Sequence, residues 1–259
     1  MSDVVMAEIR KDYLYHLVLK GERADGRAFD EYRDIVLETG SIRKAEGSAL
    51  VKLGKTQVMV GVKIQPGDPF SDTPNKGVII TNAELVPLAS PNFEPGPPNE
   101  VGIELARLVD RGVRESGAID LESLCITPGE KVWIIFIDVH VLDDCGNLMD
   151  ASSLGAIAAL MTAKVPAAQY GLGEDYPLPV KDVPVATTAV EFGDAIIFDP
   201  DTDEESVADT KLTVITTADG SVCGMQKSGP GFISQDHIYR IVDIACERAK
   251  EIREKFLEV

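Results

Sequence analysis

The chain has 259 residues, 44% of them hydrophobic and 26% charged, and a formal net charge of −18. That balance excludes a disordered or fibrous chain, and a chain this long buries roughly 70–75% of its unfolded surface in one or two cores. No charge-free apolar run reaches the roughly 18 residues of a membrane span, and acids at Asp3 and Glu8 stand where a secretion signal needs a basic then apolar run, so a cytoplasmic protein is expected.

Residues 4–20 place Val5, Ile9, Tyr13 and Leu17 on one line of a helix, with Leu14 and Val18 on the adjoining line; Gly21 ends it. A polar connector, Arg23-Ala24-Asp25-Gly26-Arg27, leads to strands over 35–37, 48–53 and 57–64, the last two joined by a tight hairpin at Gly54-Lys55. Residues 77–87 read as another strand, and the proline- and glycine-rich 90–98 stretch as a loop. Asn99 caps a helix that runs to about Ser116. Residues 131–142, with Val132-Trp133-Ile134-Ile135-Phe136-Ile137, predict a central strand covered on both faces. A turn over 143–147 then opens a small-residue buried helix at 148–164.

Strands follow over 183–190, 195–198, 212–217 and 222–226, with Asp219-Gly220 as the turn between the last two. After Gly229-Pro230-Gly231 a long helix runs from Ser234 to the end. Each half offers antiparallel strands, a glycine- or proline-rich loop and a helix. The expectation is an α+β protein with a duplicated ββαβα-like fold, a single domain over 1–259 with pseudo-repeated halves at about 20–170 and 180–259. Cys125, Cys145, Cys223 and Cys246 form no C-x-x-C pair, and His16, His140 and His237 have no ligand-like spacing to them. The cysteines are read as reduced and mostly buried, in a cytosolic protein, and His140 as a core histidine.

The acidity is uneven: residues 171–210 carry one base and 11 acids, whereas residues 211–259 carry seven of each. Phosphate binding relies on Lys and Arg, so any nucleic-acid role needs a local basic stripe. One candidate is Arg107, Arg111 and Arg114, whose spacing sets them within about 60° on one side of a helix and roughly 10 Å apart along its axis. Guanidinium forks there suit the phosphates of an extended strand. Equally, Glu104, Asp110 and Glu115 lie three or four residues from one of these arginines and offer plain surface ion pairs.

A second candidate, the acids Asp199, Asp201, Asp203, Glu204, Glu205 and Asp209, offers carboxylates for a metal or a general acid; its plainer reading is a solvated connection. A third, the turn at 143–150, resembles a phosphate cradle at a helix start but has no Lys or Arg and carries Asp150, so it reads as structural.

These motifs, in this order, resemble the RNase PH-like family. They are Arg23-Ala24-Asp25-Gly26-Arg27, Tyr32-Arg33-Asp34-Ile35, Gly47-Ser48-Ala49, the helix from Glu104 to Arg111, Pro128-Gly129, Glu204-Glu205-Ser206-Val207-Ala208-Asp209 and Gln226-Lys227-Ser228-Gly229. The pattern is similar to that of the non-catalytic RNase PH-like subunit of the archaeal exosome. The resemblance implies the RNase PH-like duplicated fold (ribosomal protein S5 domain 2-like) in a hexameric ring. It also implies a catalytic RNase PH-like sister, S1/KH-type or related cap subunits and single-stranded RNA as partners, and no membrane; the residues themselves identify no cofactor and no metal site. Active members carry a Gly-Ser/Thr-Arg phosphate loop after the Trp133-like strand; here Gly146-Asn147-Leu148 stands there without the arginine, and Asp209 falls where they place a general acid. Arg107 and Arg111, with Arg114 beside them, match positions from which this subunit reaches RNA. The alternative is a chain that is itself a phosphorolytic 3′→5′ exoribonuclease through Asp209.

Overall fold

The computed structural model describes the backbone of residues 2–258 and the side chains of residues 11–258. Helix α1 (Ser2–Leu19) precedes a first sheet made of β1 (Ile35–Thr39), β2 (Gly47–Leu53), β3 (Thr56–Gly67), β4 (Val78–Leu85), β5 (Cys125–Thr127) and β6 (Lys131–Asp143). Helix α2 (Glu100–Glu115) joins β4 to β5, and α3 (Leu148–Thr162) follows β6. The short strands β7 (Lys164–Val165) and β8 (Tyr176–Pro177) pair with each other. A second sheet then comprises β9 (Val185–Phe192), β10 (Ala195–Phe198), β11 (Thr210–Thr216) and β12 (Val222–Ser228), with α4 (Thr202–Val207) inside it in sequence and α5 (Gln235–Ile252) after it.

The first sheet has the order β1-β2-β3-β6-β4, with β5 alongside β6, and the second the order β10-β9-β11-β12. All pairings are antiparallel except β4 with β6. Parallel neighbours need a crossover, and α2 supplies it. Helices α2 and α3 lie between the sheets: α3 packs on β2 and β3 on one side and β9 on the other, and α2 packs on β4 and reaches β12. Helix α5 covers the far face of the second sheet against β9 and β11. Helix α3 is therefore buried all round from Met149 to Leu160, and β9 is buried along its whole length. Small side chains make that approach possible: a Cβ on Gly47 in β2 would overlap the carbonyl oxygen of Ala159 in α3. Buried residues of both halves, such as Val60, Leu154, Val185 and Ile215, join one apolar cluster.

Several expectations change. Strand β6 is not covered on both faces; its burial alternates, leaving Ile134, Phe136, Asp138 and His140 only partly buried on the side away from α2 and α3. His140 is thus no core residue but pairs at 3.2 Å with Glu84, its neighbour on β4. The four cysteines are free and each is partly exposed rather than mostly buried. The last helix does not run unbroken to the end but widens into a π-helical turn over Arg253–Leu257. On α1, Leu14 is buried with Val190, Phe192 and Ile197, Leu17 and Val18 pack beside it, and Tyr13 is exposed; the predicted Val5 and Ile9 side chains lie outside the described residues. Among the described residues no helix is long and apolar enough to cross a membrane.

Candidate nucleic-acid interface

The loop before α2 stops at Asn99, whose side chain accepts from the Gly102 N–H at 3.0 Å and caps the helix. Leu105, Leu108, Val109 and Val113 form the buried stripe of α2. Off that stripe, on the side that spans the edges of β4 and β12, stand the three arginines. They line one shallow cavity of about 260 Å³ together with Thr81, Asp110 and Glu115, so the predicted grouping holds in three dimensions.

Their bonding differs. Arg107 is exposed and has no hydrogen bond or ion pair among the described residues. Arg111 Nη1 donates to the Met225 carbonyl at 3.3 Å and to Gln226 Oε1 at 3.2 Å, both on β12. Arg114 grips both carboxylate oxygens of Asp110, at 3.0 and 2.9 Å, and donates to the Ile79 carbonyl at 3.1 Å; the bond to Asp110 raises its pKa. Of the ion pairs expected along the helix, only Asp110 with Arg114 forms among the described residues. Glu104 turns instead to β12, accepting from Ser228 Oγ at 2.5 Å and Gln226 Nε2 at 3.3 Å.

The turn at 143–150 is closed from within. Arg33 donates to the carbonyls of Cys145 at 2.8 Å and Gly146 at 3.2 Å, and to Asp199 Oδ1 at 2.6 Å and Oδ2 at 2.8 Å. Asn147, in the left-handed region at φ 57°, donates from Nδ2 to Asp150 at 2.9 Å and to Asp199 at 2.8 Å. A Cβ on Gly146, at φ +90°, would sit 2.5 Å from the Asp201 carbonyl carbon, so the 201–202 backbone lies directly on the turn. A phosphate loop needs free donors aimed outward; the cation nearest this turn, Arg33, is committed to Asp199.

The acidic stretch is correspondingly not a solvated connection. Asp199 is fully buried, and although burial pushes its carboxyl up, the Arg33 bonds override that and hold it below the usual range. Glu204 is 3% exposed and bonds Arg23 at 2.9 and 2.6 Å. Arg23 also donates to the carbonyls of Phe198 and Asp199, at 3.1 and 3.0 Å. Burial raises the carboxyl of Glu205, which faces Lys211 at 3.2 Å. Asp209 stands apart: its Oδ2 accepts from the Tyr15 hydroxyl at 2.5 Å and the Gly193 N–H at 3.1 Å, and those bonds, Tyr15's foremost, lower its pKa. Among the described residues no group of three or more His, Cys, Asp or Glu side chains is placed to hold a metal ion.

Sequence reasoning missed the contacts of Glu104 with Gln226 and Ser228, and the pairing of Arg23 with Glu204 and of Arg27 and Arg33 with Asp199. Net charge gave little signal: residues 23–33 carry three bases and three acids, so only the individual arginines answer the acids at 199–205.

The 3′ exoribonuclease family matches in two parts, its domain 1 over residues 31–166 and its domain 2 over residues 182–248. The chain is 65% identical to the exosome complex component Rrp42 of Methanocella arvoryzae, covering 98% of both chains. It is 55% identical to the protein of the same name from Archaeoglobus fulgidus, covering 100% of both. Among solved structures it superposes on a chain of the Archaeoglobus fulgidus exosome with RNA bound to the active site, with a TM-score of 0.95 and 56% identity over 97% of this chain and 99% of that one. A chain of an archaeal exosome core gives a TM-score of 0.92 at 52% identity, covering 99% of each. Rice Rrp46, at 20% identity and a TM-score of 0.69 over 91% of this chain and 100% of that one, shares the fold.

Proposed function

The chain belongs to the 3′ exoribonuclease family of RNase PH-like proteins, and from that premise we propose that it is the non-catalytic, RNA-holding subunit of an exosome ring. It pairs with a catalytic RNase PH-like sister beneath S1- or KH-type cap subunits, in the cytoplasm. The sister performs phosphate-dependent 3′→5′ degradation of single-stranded RNA, and this chain completes the sister's active site. Arg107 and Arg111 take RNA phosphates, and Arg114 lines the same cavity.

One observation carries this reading: α2 presents an exposed Arg107, unpaired among the described residues, beside Arg111, while the turn at 145–147 is sealed by Arg33 and Asp199. Phosphorolysis brings an anionic nucleophile to an anionic backbone and needs preorganised positive charge at the reacting atoms. Asp209 alone is half of that mechanism: its carboxylate accepts from the Tyr15 hydroxyl and the Gly193 N–H, bonds that hold its pKa below the usual range, and it brings no positive charge to the reacting atoms.

Changing Arg107 and Arg111 to Glu in the assembled complex tests the assignment. Each phosphate contact on a single strand contributes a salt slope of about −0.7. Losing two flattens the slope by about 1.4 and weakens binding about 25-fold at about 0.1 M salt, with assembly intact. Unchanged binding at several salt concentrations rejects the RNA face. In parallel, the isolated chain with RNA and orthophosphate is expected to release no nucleoside diphosphates; robust release favours phosphorolysis through Asp209 instead.

A further inference from the structure

Arg107 lies three residues after Glu104 and three before Asp110, a spacing at which a helix pairs charges with its own side chains. Left to α2 alone, both carboxylates compete for Arg107, and a paired guanidinium has less charge to offer a phosphate. Neither pair forms among the described residues. Asp110 is taken by Arg114 at 2.9 Å and by the Thr81 hydroxyl at 3.3 Å. Glu104 is taken by Ser228 Oγ at 2.5 Å and Gln226 Nε2 at 3.3 Å. The other end of the same amide, Gln226 Oε1, accepts from Arg111 Nη1 at 3.2 Å. An amide between a carboxylate and a guanidinium has only one sensible orientation, NH₂ to the acid and oxygen to the base. Gln226 therefore occupies Glu104 and aims Arg111 with one side chain.

We propose that Gln226 and Ser228 on β12 are positioning residues of the RNA contact: they draw Glu104 away from Arg107 and orient Arg111, without touching RNA themselves. The proposal rests on the reading that Arg107 and Arg111 hold RNA. Without these two side chains, Glu104 returns to its helix and pairs with Arg107.

The test is a cycle in the assembled complex, using a single-stranded oligoribonucleotide and several salt concentrations. Gln226→Ala with Ser228→Ala is expected to weaken binding about two- to fivefold at about 0.1 M salt, the size of one exposed helical ion pair. Glu104→Gln added to that double variant is expected to restore the part of the affinity lost through Arg107, while Glu104→Gln in the parent changes it far less. Affinity that stays at the parent level, or a loss that Glu104→Gln does not relieve, overturns the proposal; the second outcome marks β12 as merely structural. Should the double variant fail to assemble, Ser228→Ala alone removes the shorter bond to Glu104 and carries the same comparison. Arg107→Glu in the same assay separates the two layers. If it weakens binding while the alanine variants do not, only the positioning role falls; if it leaves binding unchanged, the RNA face falls and the positioning role with it.

Discussion

Replacing Asp199 with Asn changes almost no volume and removes one charge, so its cost reports what that charge holds. Asp199 is fully buried and collects Arg33 Nη2 at 2.6 Å and Asn147 Nδ2 at 2.8 Å on one oxygen. On the other it collects the Arg33 N–H, Arg33 Nε and Arg27 Nη1, each at 2.8 Å. The arginine side chains are only 11% and 12% exposed, so water screens the loss weakly. In Asp199→Asn an NH₂ group faces donors, Arg33 loses its carboxylate partner and Arg27 keeps only Asp25. Breaking one partner of such a buried pair costs about 3–5 kcal/mol. In a chain of this size that lowers the thermal midpoint by about 10 °C. Asp209→Asn is the control: this half-buried group has two donors, and its loss is expected to cost about 1 kcal/mol or less. Circular dichroism melts of the isolated chain at neutral pH compare the two. Equal midpoints would refute the claim that Asp199 and the 143–150 turn form a structural clasp. The sign with pH is also fixed: the folded-state pKa of Asp199 lies below 3.8, so its stabilisation is present above that value and lost as the pH falls through the folded one.

Asp150 titrates the opposite way. Burial pushes its carboxyl from 3.8 up to about 6, against the donors Thr188, Asn147 and Tyr32. The folded chain thus holds this proton more tightly than the unfolded one, and stability relative to Asp150→Asn is expected to decline as the pH rises from about 4 to about 6. Urea midpoints of both proteins across that window check it, and a constant difference counts against the assignment. Gly47→Ala forces a Cβ onto the Ala159 carbonyl in α3 and is expected to cost at least about 1–3 kcal/mol by overpacking. A denaturant midpoint equal to the parent's would show that β2 and α3 approach less closely than described.

The features legible in the sequence were those set by neighbours along the chain. Asn99 caps α2 because its side chain needs only the N–H three residues on, and the turns at Gly54-Lys55 and Asp219-Gly220 join strands adjacent in sequence. The ordered motifs pointed to the RNase PH-like fold for the same reason: each is a local segment, read without knowing what it touches. The exposed side of β6 was not legible. Its residues are apolar enough to be covered twice, and only the absence of a second layer there, among the described residues, decides which of them meet water.

Charge pairing was least legible. Arg23 and Glu204 are 181 positions apart, and Glu104 and Ser228 are 124 apart. Spacing along α2 allowed Arg107 two carboxylate partners and could not rank them against partners from another sheet. The sequence by itself determined the fold family, the helix that bears the arginines and the missing arginine after Gly146. The packing of β4 and β12 against α2 decided that Arg107 stays unpaired among the described residues. An ion pair forms with whichever opposite charge the folded chain brings within hydrogen-bonding distance, and that competition is settled only when distant strands arrive.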